Sequence, residues 1–319
     1  QVTANGLTPD SAQLSDVDLD PMYQDEIILG FETNLNDDWS VGIRYTNREL
    51  KSHIDDVLID YAVDAMGYAH TGDAGGYVLA NPGSDITIPY DRYDTGVLEM
   101  TTFAAADLQY ETAERTYESV EFTAERAFDG VWSVKASYLW SESEGNTEGY
   151  VKSDNAQDDA GITQDFDEYK LMDGAYGFLP NDRTHQFKVY GNYQLSENLL
   201  LGFNASLLSG RPINSFGTGH PDGAPIYGDT YYLMDPNTGE FTHTPRGSRG
   251  RTSWVAQFDA NAVYSMDVAG GELELRAEIF NLLDAEASTE VYEFGELSEG
   301  VADPAYGINQ QFQKPRTIR

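Results

Sequence analysis

The residue patterns in this sequence that could do chemistry begin with three closely spaced aspartates. Asp16, Asp18 and Asp20 imitate the first ligands of an EF-hand calcium loop. Pro21 stands where that loop requires glycine, and Ile27 stands where it requires a final carboxylate. The pattern therefore predicts no EF-hand and leaves open only loose calcium binding by this segment.

Other catalytic and cofactor-binding patterns are incomplete. The five histidines are His53, His70, His185, His220 and His243. No pair of them has the spacing that places two metal ligands on one helix or strand. The glycine pair at 217–219 neither follows a buried parallel strand nor opens a helix, so it predicts no dinucleotide site. The chain has no cysteine and no G-x-S-x-G, and although a spatial Ser–His–Asp set stays open, no residue points to one. We predict no catalytic residue, metal site or cofactor, and no enzyme.

One long segment has the composition of a ligand-binding loop. Residues 211–251 combine aromatic and guanidinium side chains, which can contact a ligand by stacking and hydrogen bonding. Packing within the loop is the alternative role for the same side chains. The candidate ligand contacts are Tyr227, Tyr231, Tyr232, Arg246 and Arg249.

The charge of the chain limits its partners. Its 319 residues include 54 acidic and 19 basic ones, and the formal net charge is −35. Nucleic acids and anionic cytoplasmic membrane surfaces are excluded as partners, because binding to either depends on Lys and Arg. Most of the excess acid falls in long connections between predicted strands. These acidic side chains could form a solvated rim, or their negative electrostatic potential could attract cationic ligands or divalent ions.

Side chains alternate between apolar and polar along much of the chain, which is the period of a β-strand and not of a helix. In 131–141, for example, Trp132 and Val134 share one side, and Ser133 and Lys135 share the other. The alternation predicts nine long strands, at 24–34, 39–50, 116–128, 131–144, 183–195, 198–210, 252–266, 271–284 and 307–319. Strands of this length suit a membrane-spanning barrel.

Short and long connections alternate between these strands. Short turns lie at 35–38, 129–130, 196–197 and 267–270, and long connections at 51–115, 145–182, 211–251 and 285–306. Outer-membrane barrels have short periplasmic turns and long extracellular loops. The predicted fold class is all-β: an antiparallel transmembrane β-barrel fragment of about nine long strands with that arrangement of turns and loops.

Aromatic residues lie at two levels of the apolar face. Trp132 and Trp140 are eight residues apart in the sequence, which is about 20 Å across a tilted sheet. Aromatic girdles flank the apolar band of outer-membrane barrels at about that spacing. The same residues could instead form the core of a soluble sandwich. The predicted girdle comprises Trp39, Trp132, Trp140, Tyr193, Trp254 and Tyr264.

The alternation also assigns charged residues to the two faces of the sheet. Arg183 and His185 share the parity of Phe187, so we expect them to face outward near the loop-side rim, where Arg183 could meet a lipid phosphate. The polar face would line the barrel interior. Its charged members are Arg44, Arg48, Lys135, Lys188, Glu274, Arg276 and Glu278.

Several short motifs occur in an order that resembles a known family. They are YVLANPG (77–83), LPNDRTHQFKVYG (179–191), SGRPINSFG (209–217), RGSRGRTSW (246–254), IFNLLD (279–284) and QKPRTIR (313–319). The chain resembles the C-terminal half of the barrel of TonB-dependent outer-membrane receptors, and most of all their Oar-like branch. The resemblance implies that residues 1–319 are the C-terminal portion of such a barrel, whose plug domain and TonB box are absent from this chain. Family members usually end on an aromatic residue, whereas this chain ends at Arg319, which favours a truncated sequence.

The resemblance implies active transport across the cell outer membrane. In that reading a ligand such as a siderophore, an oligosaccharide or another nutrient enters through the loops, and TonB supplies energy through the plug. Lipid and lipopolysaccharide would contact the outer face. The alternatives are a passive porin or structural outer-membrane barrel, and a secreted acidic all-β binding protein.

Overall fold

Nine strands, adjacent in chain order, form one antiparallel sheet in the computed structural model. The structure describes residues 11–71, 76–157, 160–161, 163–225 and 227–319. The strands are β1 (Tyr23–Asn34), β2 (Trp39–Ser52), β3 (Arg115–Arg126), β4 (Trp132–Gly145), β5 (His185–Ser196), β6 (Leu199–Leu208), β7 (Val255–Val268), β8 (Gly271–Phe280) and β9 (Thr317–Ile318). A two-residue strand, Gly177–Phe178, pairs with the end of β4. The predicted all-β antiparallel fold is confirmed.

The first seven strands lie within a few residues of their predicted bounds, but the last two differ more. β8 ends at Phe280 because Asn281 adopts a left-handed conformation with φ of 49°. Its side-chain amide donates to the carbonyls of Ala285 and Lys314 and so holds a turn. The predicted strand at 307–319 is wrong in extent. Asn309–Phe312 pairs with Ser288–Val291, and Pro315, which has no N–H, precedes the two residues that pair with β8.

Short turns join β1 to β2, β3 to β4, β5 to β6 and β7 to β8 at one end of the sheet. In the predicted Asp-Gly turn, Gly130 has a φ of 95°. The carboxylate of Asp129 accepts the N–H groups of Val131 and Trp132, which satisfies backbone donors that the ladder does not reach. We call this edge of the sheet the short-turn end and the opposite edge the long-loop end.

The register of the sheet separates an apolar face from a polar face. Phe122 lies opposite Ile43 on one side and Tyr138 on the other, and Tyr138 lies opposite Phe187. Residues that are directly opposite point to the same side of a sheet, so these side chains form one apolar surface. It is largely exposed: Phe122 is 49% and Phe187 is 42% accessible. The sheet therefore does not bury this face against another layer of the described chain.

The sheet is open. Within the described residues, β1 pairs with β2 alone and β9 with β8 alone, so each terminal strand has one unpaired edge. The predicted barrel fragment of about nine strands is therefore an open sheet in the structure.

The long connections, 53–114, 146–184, 209–254 and 281–316, pack together at the long-loop end, and we call them the loop layer. They contain the helices α1 (Asp60–Met66), α2 (Ala105–Leu108) and α3 (Tyr169–Met172), and a 3-10 turn at Ser153–Asn155. Another 3-10 turn, Ser11–Gln13, precedes β1. The loop layer also contains short antiparallel strand pairs: Asp55–Leu58 with Tyr77–Ala80, Ile86–Tyr90 with Glu99–Phe103, Tyr232–Met234 with Phe241–His243, Ser288–Val291 with Asn309–Phe312, and Glu296–Ser298 with Val301–Ala302.

The main cluster of buried apolar side chains lies in the loop layer and not in the sheet. Val63, Phe103 and Phe166 are fully buried in this cluster. Among the described residues, Leu50 of β2 is the member of the cluster that comes from a sheet strand. No helix of the described chain is long and apolar enough to cross a membrane. The molecule thus consists of a sheet with an unburied apolar face and a compact layer of loops with its own core.

Candidate ligand-binding region

Two of the predicted ligand contacts in the loop layer are inaccessible. Tyr231 is fully buried and Arg246 is 2% accessible. Arg246 Nε donates a hydrogen bond of 2.7 Å to the hydroxyl of Tyr231. Their assignment as ligand contacts is therefore corrected: they hold the loop together, which is the alternative role that the sequence left open.

The other three candidates lie nearer the surface. Tyr227 is 45% accessible, and its hydroxyl donates to Asp167 and lies 3.0 Å from that of Tyr77. Tyr232 is half-buried and donates to Asp173, while Arg249 is exposed. These three side chains stay predicted ligand contacts.

A buried network of charges joins two of the four long connections, 146–184 and 209–254. Lys152 Nζ lies 3.0 Å from Asp165 Oδ1, and Arg246 Nε lies 3.4 Å from Asp154 Oδ2. All four side chains are fully buried. Arg246 also approaches Asp165 at 3.6 Å, so the two pairs form one cluster. Charges without water are tolerated only when they are paired in this way.

The other two long connections, 281–316 and 53–114, are tied to these two by an ion pair and by hydrogen bonds. Glu293 forms an ion pair with Arg211 and accepts the backbone N–H of Asn214. Thr163 donates both its N–H and its hydroxyl to the buried carboxylate of Asp55. Each long connection is therefore tied to another by a buried polar contact.

Several carboxyl groups of the loop layer titrate close to neutral pH. Burial, together with the charges of Asp167 and Asp55, raises the pKa of Asp56 to about 7. Burial raises the pKa of Asp167 to about 6, and it raises the pKa values of Glu148 and Glu293 to about 7. The charge of this layer therefore depends on pH in the physiological range.

The predicted interior-lining residues lie on the polar face of the sheet. Four of them make cross-strand or same-strand ion pairs there: Arg44 with Glu121, Lys135 with Glu125, and Arg276 with Glu274. Arg48 also pairs with Glu26, and the register places Lys188 and Glu278 on the same side. This face could line a water-filled passage, and that role stays a prediction.

The predicted girdle residues lie on the apolar face, at two levels. At the short-turn end the rings of Trp39 and Trp132 are 6.1 Å apart, Tyr193 lies opposite Trp132, and Tyr264 lies opposite Leu199. At the long-loop end Trp140 lies opposite His185, whose ring stacks on Trp254 at 6.0 Å. The geometry agrees with two aromatic belts, whose contact with lipid stays a prediction.

A cleft on the polar face at the long-loop end contains residues that the sequence reasoning missed. It has a volume of about 380 Å³ and is lined by Gln24, Arg48, Arg115, Tyr117, Ser143 and Asn181. The alternation along 115–126 places Arg115 and Tyr117 on the polar side and was a signal for them. Asn181 comes from the loop layer, and no local pattern in the sequence indicates its place in the cleft.

The isolated polar motifs do not gather into a metal site. Asp16 accepts the N–H groups of Asp18 and Thr87 and so stabilises a turn. His220 lies 2.9 Å from a carboxylate oxygen of Asp173, whereas His185 meets the hydroxyl of Tyr138. Among the described residues, no group of three or more His, Asp or Glu side chains could hold a metal ion.

Comparisons with known proteins agree with this architecture. A family model described as an outer membrane beta barrel domain matches residues 1–198. The TonB-dependent transporter Oar of Myxococcus xanthus is 30% identical over 274 residues, which are 84% of this chain and 22% of that protein. The chain thus spans about a fifth of the length of the curated relative it matches. The outer membrane transporter YddB from Escherichia coli aligns with 94% of this chain and 32% of its own, at a TM-score of 0.50 and 11% identity. That likeness concerns the fold alone.

Proposed function

We propose that this chain, which belongs to the outer membrane β-barrel family and lies in the cell outer membrane, is part of a transporter that imports a ligand with energy from TonB. The observation that carries the proposal is the similarity to a TonB-dependent transporter across most of the chain. The open sheet, with an apolar face and a polar face, is what a segment of a large barrel wall requires.

The two parts of the molecule suit two tasks in such a transporter. The sheet would separate lipid from the interior, with its aromatic belts at the two membrane interfaces. The loop layer would face the outside of the cell and meet the ligand first. Its buried ion pairs would keep it compact, so that ligand binding does not have to order the loops.

The proposed partners follow from the same arrangement. TonB would act through a plug domain of the complete protein, lipid and lipopolysaccharide would contact the apolar face and its rim, and a nutrient ligand would contact the loops. The relative Oar is a TonB-dependent transporter. We assign no bond chemistry to this region.

Loss of uptake tests the proposal. We would compare the compounds depleted from the medium by the parent strain, by a strain lacking this gene and by a strain lacking TonB. The expected result is that at least one compound stays in the medium of both mutants. A compound that needs this gene but not TonB would indicate a passive porin instead, and no difference between parent and gene deletion would contradict a role in uptake.

A further inference from the structure

The cleft at the long-loop end of the polar face is lined by two arginines in a strongly acidic chain, and Arg48 is the one that has a carboxylate partner, Glu26. Its six lining residues include two arginines and no carboxylate, although the chain has 54 acidic and 19 basic residues. Arg48 and Tyr117 lie opposite each other on β2 and β3, and the Arg48 guanidinium lies 5.5 Å from the centre of the Tyr117 ring. The remaining lining side chains, Gln24, Ser143 and Asn181, can donate or accept hydrogen bonds.

Both arginines keep unused donors. Arg48 Nε pairs with Glu26, and in the described chain no partner meets its two terminal nitrogens. Arg115 Nη1 donates to the backbone carbonyl of Glu148, while the carboxylate of Glu148 accepts the N–H and hydroxyl of Ser153. Arg115 therefore has no contact ion pair among the described residues.

The environment of Arg115 differs from that of the polar face below the cleft, where two cationic side chains have carboxylate partners. There Arg44 pairs with Glu121 and Lys135 pairs with Glu125 across neighbouring strands. A half-buried guanidinium that lacks a carboxylate is costly unless another anion completes it. Guanidinium groups bind carboxylate and phosphate with two parallel hydrogen bonds.

We propose that this cleft binds one carboxylate or phosphate group of the transported ligand, through Arg48 and Arg115, with Asn181 and Ser143 as additional hydrogen-bonding groups. The inference rests on the proposed transport function, because it places the ligand on the path from the loop layer to the interior. Tyr117 would pack against the part of the ligand that carries the anionic group.

The negative charge of the loop layer further limits the class of ligand that can reach the cleft. Net negative charge repels polyanions and attracts cations over distances of a few ångströms to about 10 Å at physiological salt. A ligand that crosses this layer and then meets two arginines should carry a single anionic group on an otherwise neutral or cationic body. A peptide with a free C-terminus and a phosphate monoester both meet that description.

Binding of small probes to the full-length protein in detergent tests the proposal. The probes are inorganic phosphate, N-acetyl-alanyl-alanine and the amide of the same dipeptide, measured by calorimetric titration. We expect the wild-type protein to bind phosphate or the free acid, and to bind the amide at least about tenfold more weakly. Binding of phosphate alone would indicate a phosphorylated ligand, and binding of the dipeptide acid alone a carboxylate.

Three variants identify the site. Arg115→Gln and Arg48→Gln should each weaken binding of the acid probe by about ten- to a hundredfold, because each removes a charge-assisted hydrogen bond. Arg316→Gln is the matched control, since Arg316 pairs with Asp284 in another long connection and does not line the cleft. Heat-modifiable electrophoretic mobility would show that each variant is folded.

The outcomes separate this inference from the transport proposal. Equal binding of acid and amide, no binding of either anion, or equal effects of Arg115→Gln and Arg316→Gln would each overturn the cleft assignment. TonB-dependent uptake by the wild-type strain in that case would leave the transport proposal standing. Normal anion binding without TonB-dependent uptake would overturn the transport proposal alone.

Discussion

Removing the carboxylate of Asp165 should open the loop layer without unfolding the sheet. Asp165 lies 3.0 Å from Lys152 Nζ and 3.6 Å from Arg246 Nη2, in a cluster that is fully buried. Asp165→Asn keeps the size of the side chain but leaves the two cations with Asp154 as their remaining partner in the cluster. Removing one member of a buried ion pair costs about 3–5 kcal/mol.

That cost applies to local opening, because every member of the cluster lies in a long connection. About 3–5 kcal/mol corresponds to a roughly hundred- to several-thousand-fold increase in the opening equilibrium. Amide hydrogen exchange of residues 163–175 in the full-length protein measures this equilibrium. The amides of β5 and β6 should keep their protection, since neither strand contributes to the cluster.

Glu125→Gln is the matched control. Glu125 lies 2.9 Å from Lys135, but their side chains are 48% and 41% exposed. An exposed pair contributes at most about 1 kcal/mol, so this variant should change exchange by a few-fold at most. Equal exchange in Asp165→Asn and Glu125→Gln would refute the reasoning. The double variant Lys152→Met, Asp165→Leu should recover much of the protection, because it removes both charges together.

Three further predictions concern pH, packing and lipid contact. The folded loop layer holds a proton on Asp56 that an unfolded chain loses above about pH 4, since burial raises the pKa of this group to about 7. Hydrogen-exchange protection of residues 55–58 should therefore fall between about pH 4 and about pH 7, and Asp56→Asn should remove that dependence. Gly217→Ala should destabilise the loops by about 1–3 kcal/mol, because the added Cβ would lie 1.7 Å from the carbonyl oxygen of Tyr232. A Cβ added at Gly271 would have no atom within 4 Å, so Gly271→Ala is the control and should leave the protease resistance of the loops unchanged. Finally, brominated lipids should quench the tryptophans more strongly than aqueous iodide does, and the reverse order would contradict the assignment of the apolar face. The tryptophans are Trp39, Trp132, Trp140 and Trp254.

The sequence by itself determined the strands and the two faces of the sheet. Alternation is a local property with a period of two residues, so Trp132 and Lys135 could be assigned to opposite faces without any knowledge of their neighbours. The same rule placed His185 on the outward face near the loop-side rim. In the structure it lies on that face, opposite Trp140, and its ring stacks on that of Trp254.

Tertiary structure decided the loop layer, because its contacts join residues that are far apart in the chain. Lys152 and Arg246 lie in different long connections and share Asp165, and no spacing rule relates them. Tyr231 and Arg246 have the residue types of a ligand contact, yet both are buried and pack within the loop layer. Residue type is the same in both roles, and only the surrounding fold decides which side chains reach solvent.

The C-terminal end of the sheet and the composition of the cleft also depend on contacts that the local sequence does not determine. Residues 307–319 alternate as a strand does, but Asn309–Phe312 pairs with Ser288–Val291. The part that pairs with β8 is Thr317–Ile318, and the backbone of Arg319 is hydrogen-bonded to that of Glu278. Local alternation cannot reveal which of two partners a strand will choose. Likewise, parity assigns Arg48 and Tyr117 to the polar face, whereas their meeting with Asn181 depends on how the loop layer folds back over the sheet.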